Sequence, residues 1–301
     1  MRKLKSLATA CLMIIALPSQ AALNIFACEP EWASLSEEVG GDRVDVYSAT
    51  TAKQDVHKIK ARPSLIAKMR RADLVICTGA ELEAGWLPLL LQRASNRKVQ
   101  PGQPGYFMAA EQVERLDVPK VLDRSMGDVH PGGNPHVHLD PHRILEIAQL
   151  LAERLAQIDA KNTNIYQSRF EDFQTRWQAA IDNWQQQAQP LQGLSVVSHH
   201  KDWRYLLNWL GMNEVATLEP KPGLPPNASH LARLKKQMDE KATAMILRTG
   251  YQEARPSKWL SDKTGIPAVQ LPYTVGGSNR AIDLFGLFDD TLSLMLKAVN
   301  L

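Results

Sequence analysis

Cysteine is scarce in this chain of 301 residues: Cys11, Cys28 and Cys77 are the only three, and no two of them stand as CxxC. A thioredoxin-like redox motif and a zinc knuckle are thereby excluded. A membrane-spanning helix needs about 20 apolar residues, and the N-terminal run from Leu7 to Leu17 is roughly half that. A glycine-rich phosphate loop, a GxSxG elbow and an HExxH helix are all missing, so no motif of nucleotide binding, of an α/β-hydrolase or of a zincin is present. Net charge is missing too. Residues 1–21 hold Arg2, Lys3 and Lys5 and no acid, so setting them aside takes the formal charge from +3 to zero, and nothing in the charge balance points to nucleic acid. The whole chain is 44% apolar, ample for a packed core in one large or two medium domains.

The first residues read as a secretory signal: basic residues, a short apolar run, then Pro18-Ser19-Gln20-Ala21 with cleavage expected after Ala21. Cys11 lies inside the apolar run instead of ending it, which argues against a lipid attachment site. An exported chain keeps only Cys28 and Cys77, and the economical reading is a disulfide between them. Two buried thiols are the alternative, decided by whether the Cα atoms come within about 7 Å.

From Leu23 onward, strand and helix signals alternate. Strands are expected at 23–28, 43–48 and 73–77, the last an unbroken apolar run that suits a buried parallel strand. Helices are expected over 32–39, from Pro63, and through Leu91, with 50–61 and 95–105 as loops. Pro141 opens a helix with Ile144, Ile147, Leu151 and Leu155 on one face. Residues 162–188 lack Gly and Pro and read as one helix long enough to bridge two lobes. The alternation then restarts from Leu194 to Leu271 and closes on a helix over 281–299. The expected fold is therefore α/β, two similar lobes with mostly parallel sheets joined by a long linking helix. We divide it as signal 1–21, N-terminal lobe 22–160, linking helix 161–189 and C-terminal lobe 190–301.

Several of the eight histidines fall at strand ends or in turns, where open α/β sheets place their ligands. His57 follows the second strand, His136 and His138 sit in a turn bounded by Pro135 and Pro141, and His199 and His200 end the strand that begins at Leu194. Neutral imidazole is the commonest borderline ligand for divalent transition metals. A metal held in the cleft between the lobes would draw ligands from these segments. Trp203 and Tyr205, at helical spacing behind a strand, read as core packing, and the methionines show no MxxM clustering that would suit copper(I).

The stretch Asn134-Pro135-His136-Val137-His138-Leu139-Asp140-Pro141 resembles the Asp-Pro-His-Val-Trp-Leu-Asp-Pro signature of the ZnuA-like periplasmic substrate-binding proteins of zinc and manganese ABC importers. Asp55-Val56-His57 with Pro63-Ser64 is similar to that group's Asp-Pro-His segment. Gly79, Glu83 and Trp86 match its Gly, Glu, Trp-Leu stretch, and His200-Lys201-Asp202-Trp203-Arg204-Tyr205 its His-x-x-Phe-x-Tyr motif. The resemblance covers the mature chain and implies a periplasmic, monomeric protein that passes a metal to a membrane permease. It also implies His57, His136 and His200 as ligands, with His138 standing where the group usually has Trp.

Two departures matter. Val56 replaces the proline before the first ligand, which is expected to loosen that loop. The group's Asp ligand near the last strand has no counterpart in Gln270–Gly277, leaving the fourth position to a water, to Glu219 or to His138. Three imidazoles suit zinc, at about 2.0–2.1 Å, better than manganese, which favours carboxylate oxygen. Zn2+ is therefore the expected cargo, ahead of Mn2+. A zinc hydrolase using Glu219 or Asp202 as general base, and a periplasmic metallochaperone, are the competing readings.

Overall fold

The computed structural model describes residues 22–121, 127 and 130–300; the expected signal segment and Cys11 lie outside the described residues. Strands β1 (Leu23–Ala27), β2 (Val44–Ser48), β3 (Leu74–Cys77) and β4 (Tyr106–Met108) form one parallel sheet in the order β2-β1-β3-β4. Strands β5 (Ser195–Ser198), β6 (Asn213–Thr217), β7 (Thr243–Arg248) and β8 (Ala268–Gln270) form a second in the order β6-β5-β7-β8. The same winding therefore occurs twice, as two α/β lobes. β4 has no signature in the sequence, because three residues are too few for alternation to register. It becomes a strand by pairing with β3, Val75 opposite Tyr106 and Cys77 opposite Met108.

Proline sets several helix starts, where its missing N–H costs nothing: α1 (Pro30–Gly40), α2 (Pro63–Met69) and α4 (Pro141–Ile158) each begin on one. The remaining helices are α3 (Leu87–Ala94), α5 (Thr163–Ala188), α6 (Arg204–Trp209), α7 (Ala228–Glu240), α8 (Ala254–Thr264) and α9 (Leu284–Ala298). The 26 residues of α5 span about 39 Å at 1.5 Å per residue. Its buried stripe of Tyr166, Phe173, Trp177, Ile181 and Trp184 lies against α1 and α4 on one side and α9 on the other. Trp177 Nε1 donates to the Pro141 carbonyl at 2.8 Å, and Trp184 Nε1 to Asp289 at 2.6 Å. The same rings pack on Phe285 and Phe288 of α9. One hydrophobic cluster consequently runs from Ile25 of the first sheet to Met295 of the last helix. The linking helix is the spine of a shared core, with smaller clusters on the outer face of each sheet.

Parallel pairing of β1 with β3 places Ala27 opposite Ile76, and the next residues, Cys28 and Cys77, form a disulfide with Cα atoms 4.8 Å apart. Closing a segment with a sequence separation of 49 removes unfolded-state entropy worth about 4 kcal/mol in the loop-closure picture. Beneath the bond lie two buried acids. The Glu83 carboxylate accepts the Thr78 N–H at 2.8 Å and the Gly79 N–H at 3.0 Å, fixing the turn in which Gly79, Ala80 and Glu81 all have positive φ. Glu29 accepts from Thr78 beside it. Burial pushes Glu83 up to about 7, against the hydrogen bonds it accepts. Burial, then the Glu83 charge, raises Glu29 as well.

Both folded values lie above the unfolded carboxylate range of about 4.3. Their contribution to stability is complete below that range and is lost as pH rises through about 7. Urea unfolding should show stability falling from about pH 4.5 to 7.5, by an amount on the order of a few kcal/mol, and Glu83→Gln should flatten the fall. Parallel pH profiles for the two proteins would contradict the raised Glu83 carboxyl.

Candidate metal centre

His57 sits in a single 3-10 turn, Val56–Lys58, that follows β2. Asp55 caps this turn: its Oδ1 accepts the His57 backbone N–H at 3.1 Å and the His57 Nδ1–H at 2.9 Å. The turn is tied down from the first lobe as well, since Trp86 Nε1 donates to the Val56 carbonyl at 3.0 Å. Val56 is buried. Its substitution for proline therefore does not loosen the loop as the sequence suggested, because a buried side chain and an indole hydrogen bond replace the ring constraint. The Gly79, Glu83 and Trp86 motif acquires its purpose here: Glu83 shapes the turn that delivers Trp86, and Trp86 holds the His57 segment.

His136 is positioned by its own neighbours. Asn134 Oδ1 accepts the His136 N–H at 3.0 Å, while Asn134 Nδ2 donates to the Lys201 carbonyl at 3.0 Å, reaching the segment after β5. Asp140 caps α4 by accepting the His142 N–H and pairs with Arg143. Tyr205 is fully buried, as expected, but its hydroxyl also bridges: it donates to the Asn134 carbonyl at 2.7 Å and accepts the Leu116 N–H at 2.9 Å.

His200 follows β5. Its Nδ1–H donates to Glu219 Oε2 at 2.7 Å, and the same oxygen accepts the Gly223 N–H in the proline-rich loop. The structure thus places Glu219 behind the imidazole. His138 points elsewhere: its Nε2 contacts the Tyr273 carbonyl at 3.0 Å, and its Nδ1 stands 3.4 Å from Glu31 Oε1. It packs edge-on against Trp32.

The rings of His57, His136 and His200 meet as an equilateral triangle, all three centroid separations being 6.3 Å. Each ring is anchored through Nδ1: His57 on Asp55, His136 on the Tyr273 hydroxyl at 2.7 Å, His200 on Glu219. Nε2 is left as the donor in each case, the arrangement by which partners fix tautomer and ring orientation at metal sites. Tyr273 lies in the segment after β8 that lacks a carboxylate, so that segment holds an imidazole from behind instead.

Two residues of the site were not among the expected ligands. Asp202 is fully buried, with Oδ1 3.7 Å from His136 Nε2, and one donor atom each of His136, His200 and Asp202 lie within 4.8 Å of one another. Its other contacts are neutral donors, Gln252 Nε2 at 2.6 Å and the Tyr251 hydroxyl. His130 brings its Nε2 to 3.3 Å from His57 Nε2. Asp202 stood within the His-x-x-Phe-x-Tyr stretch, but neither position carries a spacing signal of its own.

Burial, then the neighbouring imidazoles, holds His136 well below the ordinary imidazole range, so this ring is neutral and its lone pair available. Burial alone would depress His200 as well; the carboxylates of Asp202 and Glu219 outweigh it and raise the ring to about 9. Glu219 is correspondingly lowered, its desolvation overcome by the His200 hydrogen bond. The pocket as a whole favours positive charge: the triangle of imidazoles is flanked by the buried carboxylate of Asp202 and the half-buried ones of Asp55 and Glu219.

Two parallel-sheet lobes sharing a core along one long helix, with a polar cluster at their strand ends, define a two-lobed α/β binding protein. The family model described as ZnuA, "Zinc-uptake complex component A periplasmic", matches residues 25–298, and the chain belongs to this family of metal ABC transporter substrate-binding proteins. Membership makes it a component of transport and not an enzyme. Among its relatives, the metal ABC transporter substrate-binding lipoprotein SloC of Streptococcus mutans is 22% identical over 289 residues, 91% of this chain and 90% of that protein. The manganese ABC transporter substrate-binding lipoprotein PsaA of Streptococcus anginosus is likewise 22% identical, covering 89% and 88%. A crystal structure of ZnuA superimposes with a TM-score of 0.75 at 20% identity, over 93% of this chain and 98% of that one. A cadmium-bound periplasmic metal-binding protein of Candidatus Liberibacter asiaticus gives 0.75 at 15% identity, over 92% and 99%. Among the described residues no helix is long and apolar enough to cross a membrane.

Because the Tyr205 hydroxyl satisfies two backbone groups that tie the His136 segment down, Tyr205→Phe should destabilise the fold by about 1–3 kcal/mol. Urea denaturation of the metal-free protein measures this, and a loss below about 0.5 kcal/mol would show that the bridge contributes little.

Proposed function

We propose that this protein captures zinc in the periplasm, after cleavage of residues 1–21, and delivers it as a monomer to the membrane permease of an ABC importer. His57, His136 and His200 are the ligands in this reading. The observation that carries it is the triangle of imidazoles with every Nδ1 already engaged, so that Nε2 is the atom each ring has left for an ion.

Donor chemistry supports zinc. Relatives are named for manganese or for metal in general, and related structures hold manganese, cadmium or zinc. In this chain the carboxylates of Asp55 and Glu219 sit on Nδ1 atoms, behind the rings. The surface offered to the ion therefore holds more imidazole nitrogen, which suits zinc, than the hard oxygen that manganese prefers, with Asp202 as the carboxylate that faces it. The carboxylates act through the rings by raising ligand basicity and balancing the dipositive charge. Capture and release, not chemistry on a bound substrate, are the work of such a site.

His136 lies at the centre of the cluster and is fully buried. His136→Ala should weaken zinc binding by at least about 100-fold, read by chelator competition or calorimetry on metal-stripped mature protein, with the circular dichroism spectrum unchanged. An unaltered dissociation constant would refute the ligand assignment, and wild-type protein binding manganese more tightly than zinc would refute the choice of metal.

A further inference from the structure

We infer that His130 supplies the fourth ligand and completes an all-imidazole shell around the ion, an assignment that rests on the zinc-binding reading above. The fourth position has several nearby claimants, and geometry separates them. Glu219 is behind His200, bonded to its Nδ1 and to the Gly223 N–H. His138 is turned towards Glu31 and the Tyr273 carbonyl. Asp202 faces the cluster and accepts from Tyr251 and Gln252, but its Oδ1 stands 3.7 Å from His136 Nε2, wider than the spacing of about 3.3–3.4 Å expected of two donors on one tetrahedral zinc.

His130 differs in distance and in direction. Two donors on one tetrahedral zinc, with bonds of about 2.0–2.1 Å, stand about 3.3–3.4 Å apart. His57 Nε2 and His130 Nε2 are separated by 3.3 Å. His57 gives its Nδ1 proton to a carboxylate that can only accept, so its Nε2 carries a lone pair facing His130. Without metal, an N–H of His130 is the group that satisfies that lone pair. With metal, the same two nitrogens face one ion, and the His130 ring presents the lone pair of its other tautomer.

Placement gives the assignment a functional consequence. His130 lines a cavity of about 80 Å³ together with His136, His200, Asn134 and Pro222. His57, His136 and His200 approach the ion from their anchored positions, and His130 takes the remaining face from a different segment of the chain. A fourth imidazole there leaves no open coordination position, whereas hydrolytic zinc requires one. It also sharpens the preference for zinc over manganese, since it adds nitrogen where a carboxylate would add oxygen.

Zinc X-ray absorption on the loaded wild-type protein counts the imidazoles directly. Four are expected, and three plus a light oxygen ligand would overturn the assignment without any variant being made. His130→Ala should show three, weaken zinc binding at least tenfold, since losing a ligand costs no less than the roughly 10–100-fold loss of an outer partner, and shift the visible bands of the cobalt-substituted protein. Unchanged affinity and unchanged cobalt bands in His130→Ala would overturn it, as would loss of a ligand in Asp202→Asn with none lost in His130→Ala. If the wild-type protein bound no zinc at all, the parent reading would fall instead, and the two failures are thus distinct.

Discussion

The site depends on one repeated interaction, an acceptor or hydroxyl behind each imidazole. Asp55, Tyr273 and Glu219 occupy the Nδ1 positions of His57, His136 and His200. Each bond does two things at once: it holds Nδ1 so that Nε2 is the atom left to face the cleft, bare in neutral His136 and freed in His200 by loss of the proton its carboxylate neighbours favour, and it limits ring rotation. The cost of ordering the rings is met during folding, so less of it is charged against binding. The residues behind the rings matter here as much as the rings themselves.

Such preorganisation needs a scaffold that does not let the two halves of the triangle drift. His57 and His136 belong to segments of the first lobe and its last loop, His200 to the second. They are held in register by α5, whose aromatic face is buried in a core shared by both lobes, and by direct ties such as Asn134 to Lys201 and Tyr205 to Asn134. Separate domains usually meet across modest, polar interfaces and move freely. A continuous apolar core along one helix is a different situation, since any relative motion of the lobes would have to disturb buried contacts.

Much of this was legible in the chain. Proline at helix starts, the unbroken apolar β3, the aromatic stripe of α5 and the restart of alternation after Pro190 all report local physics, and the structure follows them within a residue or two. Cys28 and Cys77 could be placed at adjacent strand ends because parallel pairing sets equal heights. The failures have equally local causes. β4 is three residues long and is a strand only because β3 offers an edge. The His57 loop looked loose because proline was missing, yet its constraint comes from Trp86, some thirty positions away. His130 and Asp202 stood out by no pattern, since a ligand needs proximity and direction, and neither is written in spacing.

Sequence alone determined the fold class, the order of all the main elements but β4, and which segments carry histidines, because helix and strand periodicity and turn chemistry act over a few residues. It also singled out the pair His136 and His138, and the resemblance to the ZnuA-like group marked His136 as the ligand, but the residues alone left the direction of each ring open. Tertiary structure decided that: His136 turns its Nε2 towards His200 and Asp202, while His138 is captured by Tyr273 and Glu31. Two imidazoles separated by one residue leave the backbone in different directions, and only groups arriving from β8, α1 and the segment after β5 determine which one faces the cleft.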